Sequence, residues 1–187
     1  MKSMKNIISI IVIIPLGFLF IILVLNLIEN KGTPAGIAVN NQFGVVDIET
    51  KLASDFSMNT LDMEEVQLSN LKGKVVVLDF WSSWCAPCIM EAEILSNTYD
   101  KYKNMDVEFI GIAIWDAESN VSEFIDKKNI NYPIGIDAKG TIAINYGLTG
   151  IPEKYLIDKD GLLRKKFIGP VNEDQLENIL MELISEK

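Results

Sequence analysis

The sequence predicts an α/β body, a mixed sheet flanked by helices, carried behind one membrane-crossing helix. Three observations predict it. Strand-like β-branched runs alternate with helical stripes from residue 75 to residue 146. Two more such runs then flank the turn signal Lys159-Asp160-Gly161, and an amphipathic stretch closes the chain, which reads as a hairpin and a helix. Residues 7–28 carry no charge at all.

That uncharged run, IISIIVIIPLGFLFIILVLNLI, would span roughly 33 Å as a helix, enough for a bilayer core. Pro15 and Gly17 interrupt it, which membrane helices tolerate. Lys2 and Lys5 precede it, while Glu29 and Lys31 follow and cancel. The positive-inside rule therefore leaves residues 1–6 in the cytoplasm and sends the body out. A cleaved signal peptide is the rival. Its apolar core is normally only about 7–15 residues, and the best small-x-small site, Gly36-Ile37-Ala38, lies far past the run. No cysteine follows to carry a lipid. Residues 29–42 are small and polar and read as a flexible spacer. Residues 43–187 are long enough for one domain with its own core.

Within that body, Val75–Phe80 follows a Lys72-Gly73-Lys74 turn and reads as a buried strand. Residues 86–103 carry a helical stripe at Cys88, Ala92, Leu95, Tyr99 and Tyr102. Val107–Ile114 is a second strand, 118–128 a helix, Tyr132–Ile136 an extended piece and 139–146 a short helix. Lys154–Ile157 and Leu162–Phe167 are the hairpin strands. Asn172 then caps a helix reaching Glu186, with Glu173 and Asp174 at its positive end.

Composition narrows the chemistry. The chain is acidic, with a net charge of −9 over 187 residues, and lacks the basic footprint of a nucleic-acid binder. It has no histidine. That excludes Ser-His-Asp and Cys-His catalysis, histidine-ligated metal and a histidine pH switch. Its two cysteines allow one intramolecular disulfide at most.

Both cysteines stand in Phe80-Trp-Ser-Ser-Trp84-Cys85-Ala-Pro-Cys88, where the buried strand meets a helix. Cys85 falls at the helix N-terminus, where unpaired N–H groups and the helix dipole stabilise a thiolate, the attacking species. Cys88 lies one turn in, placed to attack a mixed disulfide formed at Cys85. Pro87 fits the first turn. Two blander readings compete. Half a zinc site would need two further ligands from a chain with no other cysteine or histidine. A purely structural disulfide over so short a loop would restrain the unfolded chain little. A redox-active pair is the better reading, with no metal and no cofactor besides the disulfide.

FWSSWCAPC resembles the active site of the thioredoxin fold. The wider pattern resembles the membrane-anchored, extracytoplasmic thiol–disulfide oxidoreductases of the TlpA/ResA/DsbE (CcmG) family. Ala53–Met58 with Val66–Lys74 resembles that family's N-terminal hairpin, and Gly150–Asp158 its cis-proline strand. Pro152 follows Cys88 by 64 positions, which leaves room for the family's extra strand and helix near 116–137. The resemblance implies a cis Ile151–Pro152 bond facing Cys85, with the Ile151 backbone free to pair with a substrate strand.

Two carboxylates enter by their positions. Asp79 interrupts an apolar strand, where burial would raise its pKa, and stands six residues before Cys85. There thioredoxins keep an acid that relays protons to the second cysteine. Glu91 is three residues after Cys88, on the same helix face, and matches a glutamate lining the site in cytochrome-maturation members. Carrying both is a departure, since many of those members are not acidic at the first position. The blander readings are a strand-end Asp and a solvated helix Glu. Trp84 is expected to shield the disulfide and touch substrate, and Trp81 to sit in the core. Lys154 reads as an exposed strand residue, with a charge brought near Cys85 as the alternative.

The resemblance implies a reductant in cytochrome c maturation, its body on the outer face of the membrane. Its partners would be apocytochrome c or another exported disulfide protein, and a membrane thiol-reductase electron donor. The alternatives are the same fold run as an oxidant or isomerase, a peroxiredoxin-like peroxidase with Ser82 three residues before the cysteine, and a copper-binding module.

Overall fold

Val75–Trp81 is apolar except for Asp79, so the chain can hide it only between two other strands. In the computed structural model, which describes residues 13–25, 39–40 and 44–186, it is the fourth strand and runs near the middle of the sheet. A helix over residues 13–25 (α1) comes first. Then follow β1 (Gly44–Leu52), β2 (Ser57–Asn59), β3 (Glu65–Gln67) and a 3-10 turn (Leu68–Leu71). Next are β4 (Val75–Trp81), α2 (Ala86–Tyr102), β5 (Val107–Ala113), α3 (Glu118–Lys128), β6 (Ile134–Ile136) and α4 (Thr141–Tyr146). β7 (Glu153–Ile157), β8 (Leu162–Ile168) and α5 (Glu173–Ser185) complete the fold.

Six strands form one sheet in the order β1-β8-β7-β4-β5-β6. β4, β5 and β6 are parallel, and β7, β8 and β1 are antiparallel to their neighbours. The sheet is mixed, as predicted. Successive residues of β4 point to opposite faces and so sort the helices. Phe80 meets Tyr146 of α4 with ring centres 5.9 Å apart, while Trp81 meets Phe124 of α3 at 4.9 Å on the other face. Val75 to Leu78 and Phe80 are all buried. Each such side chain stabilises the fold by about 1.5–3 kcal/mol relative to leaving it in water.

The expected extra strand and helix are α3 and β6, and β6 adds to the sheet edge parallel to β5. The expected hairpin is β2 with β3, paired from Ser57↔Gln67 to Asn59↔Glu65. The β7–β8 turn closes on Gly161 in the left-handed region, φ 84°, with Asp158 Oδ1 accepting the N–H groups of Asp160 and Leu162. Asn172 Oδ1 caps α5 by accepting from the N–H of Asp174 at 3.0 Å.

One strand was not anticipated. β1 pairs with β8 at the other sheet edge, from Gly44↔Ile168 to Leu52↔Leu162. Only Ile48 within it is even half-buried, so it lacks the alternation that announces a strand. The body is a compact unit beginning at Ala38. Of the expected membrane segment, residues 7–12 and 26–28 lie outside the described residues. Among the described residues no helix is long and apolar enough to cross a membrane.

Candidate active site

β4 delivers the chain to the cysteines through Ser82–Trp84, and the loop after β5 pins that turn. Ser82 Oγ donates to the Ile114 carbonyl, the Ser83 N–H to Asp116 Oδ2 at 2.6 Å, and the Trp84 indole N–H to the Trp115 carbonyl at 3.0 Å. Trp115 takes a left-handed φ of 53°, a strained setting for a bulky residue, and its side chain is half exposed. The turn holds Cys85 at the N-cap of α2. Cys85 and Cys88 form a disulfide with Cα atoms 5.2 Å apart, and the Cys88 N–H points at Cys85 Sγ at 3.4 Å. That donor would stabilise a thiolate after reduction. Trp84 is half-buried and Trp81 lies in the core.

The Ile151–Pro152 bond is cis. The Ile151 backbone, however, is not free. Its carbonyl accepts the Asn40 N–H at 2.5 Å, and Val39 bridges it in parallel. The Asn40 side-chain amide reaches the Pro152 carbonyl at 3.3 Å and Glu153 Oε1 at 3.4 Å. The last described residues of the expected spacer therefore lie on the backbone expected to take substrate.

Asp79, Glu91 and Lys154 are buried, at 2%, 1% and 0% exposure. Asp79 and Lys154 are directly opposite in the β4–β7 ladder and so share a sheet face. Glu91 comes down from α2 onto that face. The Lys154 ammonium bonds Glu91 Oε1 and lies 3.7 Å from Asp79 Oδ1. Glu91 Oε2 accepts the Val171 N–H at 2.7 Å, and the Tyr132 hydroxyl donates to Asp79 Oδ2 at 3.4 Å. Asp79 Oδ1 has no hydrogen-bond partner.

Two carboxyls and one ammonium, all ionised, would leave a net negative charge out of water, which is costly. Burial accordingly raises the pKa of Glu91 to about 7, aided by the neighbouring Asp79 and opposed by Lys154. Burial raises Asp79 too, again against Lys154. The arrangement can hold or release one proton near neutral pH, one turn along α2 from Cys88.

The chain has relatives among known proteins. A family model described as AhpC/TSA family covers residues 50–166. The thiol-disulfide oxidoreductase ResA of Bacillus cereus is 35% identical over 133 residues, 71% of this chain and 77% of that one. The chain belongs to the TlpA/ResA/DsbE group of the AhpC/TSA family. Solved relatives agree in fold. A thiol:disulfide interchange protein of the thioredoxin family from Chlorobium tepidum superposes with TM-score 0.68 at 26% identity, covering 75% of this chain and all of that one. StoA from Bacillus subtilis gives TM-score 0.60 at 29% identity, over 68% and 96%. The chain is thus a thioredoxin-fold thiol-disulfide oxidoreductase. The peroxidase alternative finds no support at Ser82 either, whose hydroxyl is committed to Ile114.

Against the sequence reading, Asp79 is buried as its apolar strand required, and Glu91 is buried rather than solvated. Lys154 is neither exposed nor a free charge beside Cys85, because it is buried as the counter-ion of Glu91 and Asp79. Tyr132 and Asn40 were missed. The signal for Tyr132 was a tyrosine opening an apolar strand, which pattern alone reads as core.

Proposed function

We propose that the chain is a membrane-tethered, extracytoplasmic reductant of exported disulfide proteins, with the haem-binding cysteine pair of apocytochrome c as its substrate. The buried Glu91 carboxyl, one turn along α2 from Cys88 and held by Lys154 and the Val171 N–H, carries this reading. The uncharged run at 7–28, with Lys2 and Lys5 before it, supports the tether and its orientation.

In the reduced protein the Cys85 thiolate attacks one sulfur of the substrate disulfide. A mixed disulfide forms and the other substrate sulfur leaves as thiolate. The Cys88 thiol gives its proton to the Glu91 carboxylate, with Asp79 sharing the load. The Cys88 thiolate then attacks Cys85 Sγ, the Cys85–Cys88 disulfide forms, and the second substrate sulfur departs. The substrate gains two electrons and the protein loses two. A membrane thiol-reductase donor restores the dithiol, and the cysteine pair is the sole redox group. Trp84 covers the pair, and Ile151 with Pro152 offers its backbone to the substrate once Asn40 is displaced.

The test is the reduction potential of the full-length chain, poised in thiol buffers and read by tryptophan fluorescence. A midpoint at or below about −220 mV supports a reductant. A midpoint near about −120 mV would make the protein a disulfide donor and overturn this direction.

A further inference from the structure

Lys154 is the charge that the proposed reaction leaves unused. It sits on β7, two residues past the cis-proline, and reaches across to the helix that carries the cysteines. β4 presents Asp79, α2 presents Glu91, and the segment before β6 presents Tyr132, while the loop before α5 contributes only the Val171 N–H. Among the described residues, Lys154 is the one cation paired with these two carboxyls. Glu91 bonds to it directly, while Asp79 Oδ1, 3.7 Å away, is left without a hydrogen bond.

We propose that Lys154 is a positioning residue for the proton transfer at Cys88. Its ammonium aims the Glu91 carboxylate and couples it to Asp79, so that the two carboxyls share one exchangeable proton behind the disulfide. The inference rests on the reading above that Glu91 is the proton partner of Cys88. In the resolving step the proton leaves the Cys88 sulfur for a carboxylate oxygen, and the ammonium stays protonated throughout. Lys154 stabilises the ionised carboxylate that accepts that proton, and Asp79 opposes it as a like charge. Their effects on the pH at which Cys88 becomes competent must therefore have opposite signs.

The experiment is the pH profile of the resolving step in the full chain. A mixed disulfide preformed at Cys85 with a small aromatic thiol serves as the probe. Lys154→Met is expected to move the midpoint to higher pH by about one unit, slowing resolution at pH 7 about fivefold. Asp79→Asn is expected to move it to lower pH. A general loosening of the site would not split the two in sign. Should Lys154→Met fail to fold, Asp79→Asn/Lys154→Met removes one charge of each sign. It leaves Glu91 as the lone buried charge, and its midpoint is still expected above that of Asp79→Asn alone. Glu91→Gln separates the two readings. If Glu91→Gln leaves the profile unchanged, Glu91 is not the proton partner and the reading beneath this one fails. If Glu91→Gln abolishes the profile while loss of Lys154 leaves the midpoint in place, the role of Lys154 alone is overturned.

Discussion

A carboxyl can serve a cysteine as proton partner only if its charge changes near the working pH, and Glu91 meets that condition through burial. The same shift makes a prediction about stability. The folded state raises Glu91 from its ordinary 4.5 to about 7, so it holds more protons than the unfolded chain between those values. Stability from this group is full below about pH 4.5 and is lost as pH rises through about 7. Glu91→Gln cannot ionise. Its urea midpoint is expected to fall less than that of the parent over this window. Parallel declines would show that Glu91 does not ionise there. The two acids were legible in the sequence because a carboxylate among apolar neighbours, or one turn from a cysteine, stands out locally. Lys154 was not, because its partner Glu91 lies 63 residues away in the chain. A lysine on a strand reads as solvated until that partner is seen.

At the scale of elements, β7 carries charge to both faces of the sheet. Lys154 serves the cysteine face, while Glu153 on the other face pairs with Lys166 of β8 at 2.8 Å. Just before this strand, Asn40 occupies the Ile151 carbonyl. A substrate strand that uses that carbonyl has to displace it. Asn40→Pro removes both the amide and the side-chain donor and is expected to raise kcat/KM for a disulfide peptide. Three bonds are lost, to the Ile151 and Pro152 carbonyls and to Glu153, and at about 1 kcal/mol each the increase is of order a hundredfold. An unchanged or lower kcat/KM would mean that substrate does not enter along this edge. The strands with a buried face were legible from their apolar runs. β1 was not, because a nearly fully exposed edge strand owes its place to backbone pairing with β8, which leaves no hydropathy pattern.

For the whole molecule, charge sets a rule for partners. The buried cluster of Asp79, Glu91 and Lys154 amounts to one net charge at most, so the field reaching solvent comes mainly from surface carboxylates such as Glu64, Glu65, Glu93 and Glu118 within a net charge of −9. An acidic surface attracts a basic partner over distances up to about a Debye length, roughly 30 Å at 0.01 M salt and 8 Å at 0.15 M. Adding salt is therefore expected to slow the reduction of a basic disulfide protein and to speed that of an acidic one. The change belongs in kcat/KM, because steering acts on encounter. The resolving step, internal to the mixed disulfide, should be unmoved. Measuring kcat/KM for one basic and one acidic substrate across this salt range checks the sign. If both responded alike, long-range charge would have no part in choosing substrates, and selection would rest on the Ile151 edge and the exposed Trp115 beside the cysteine turn.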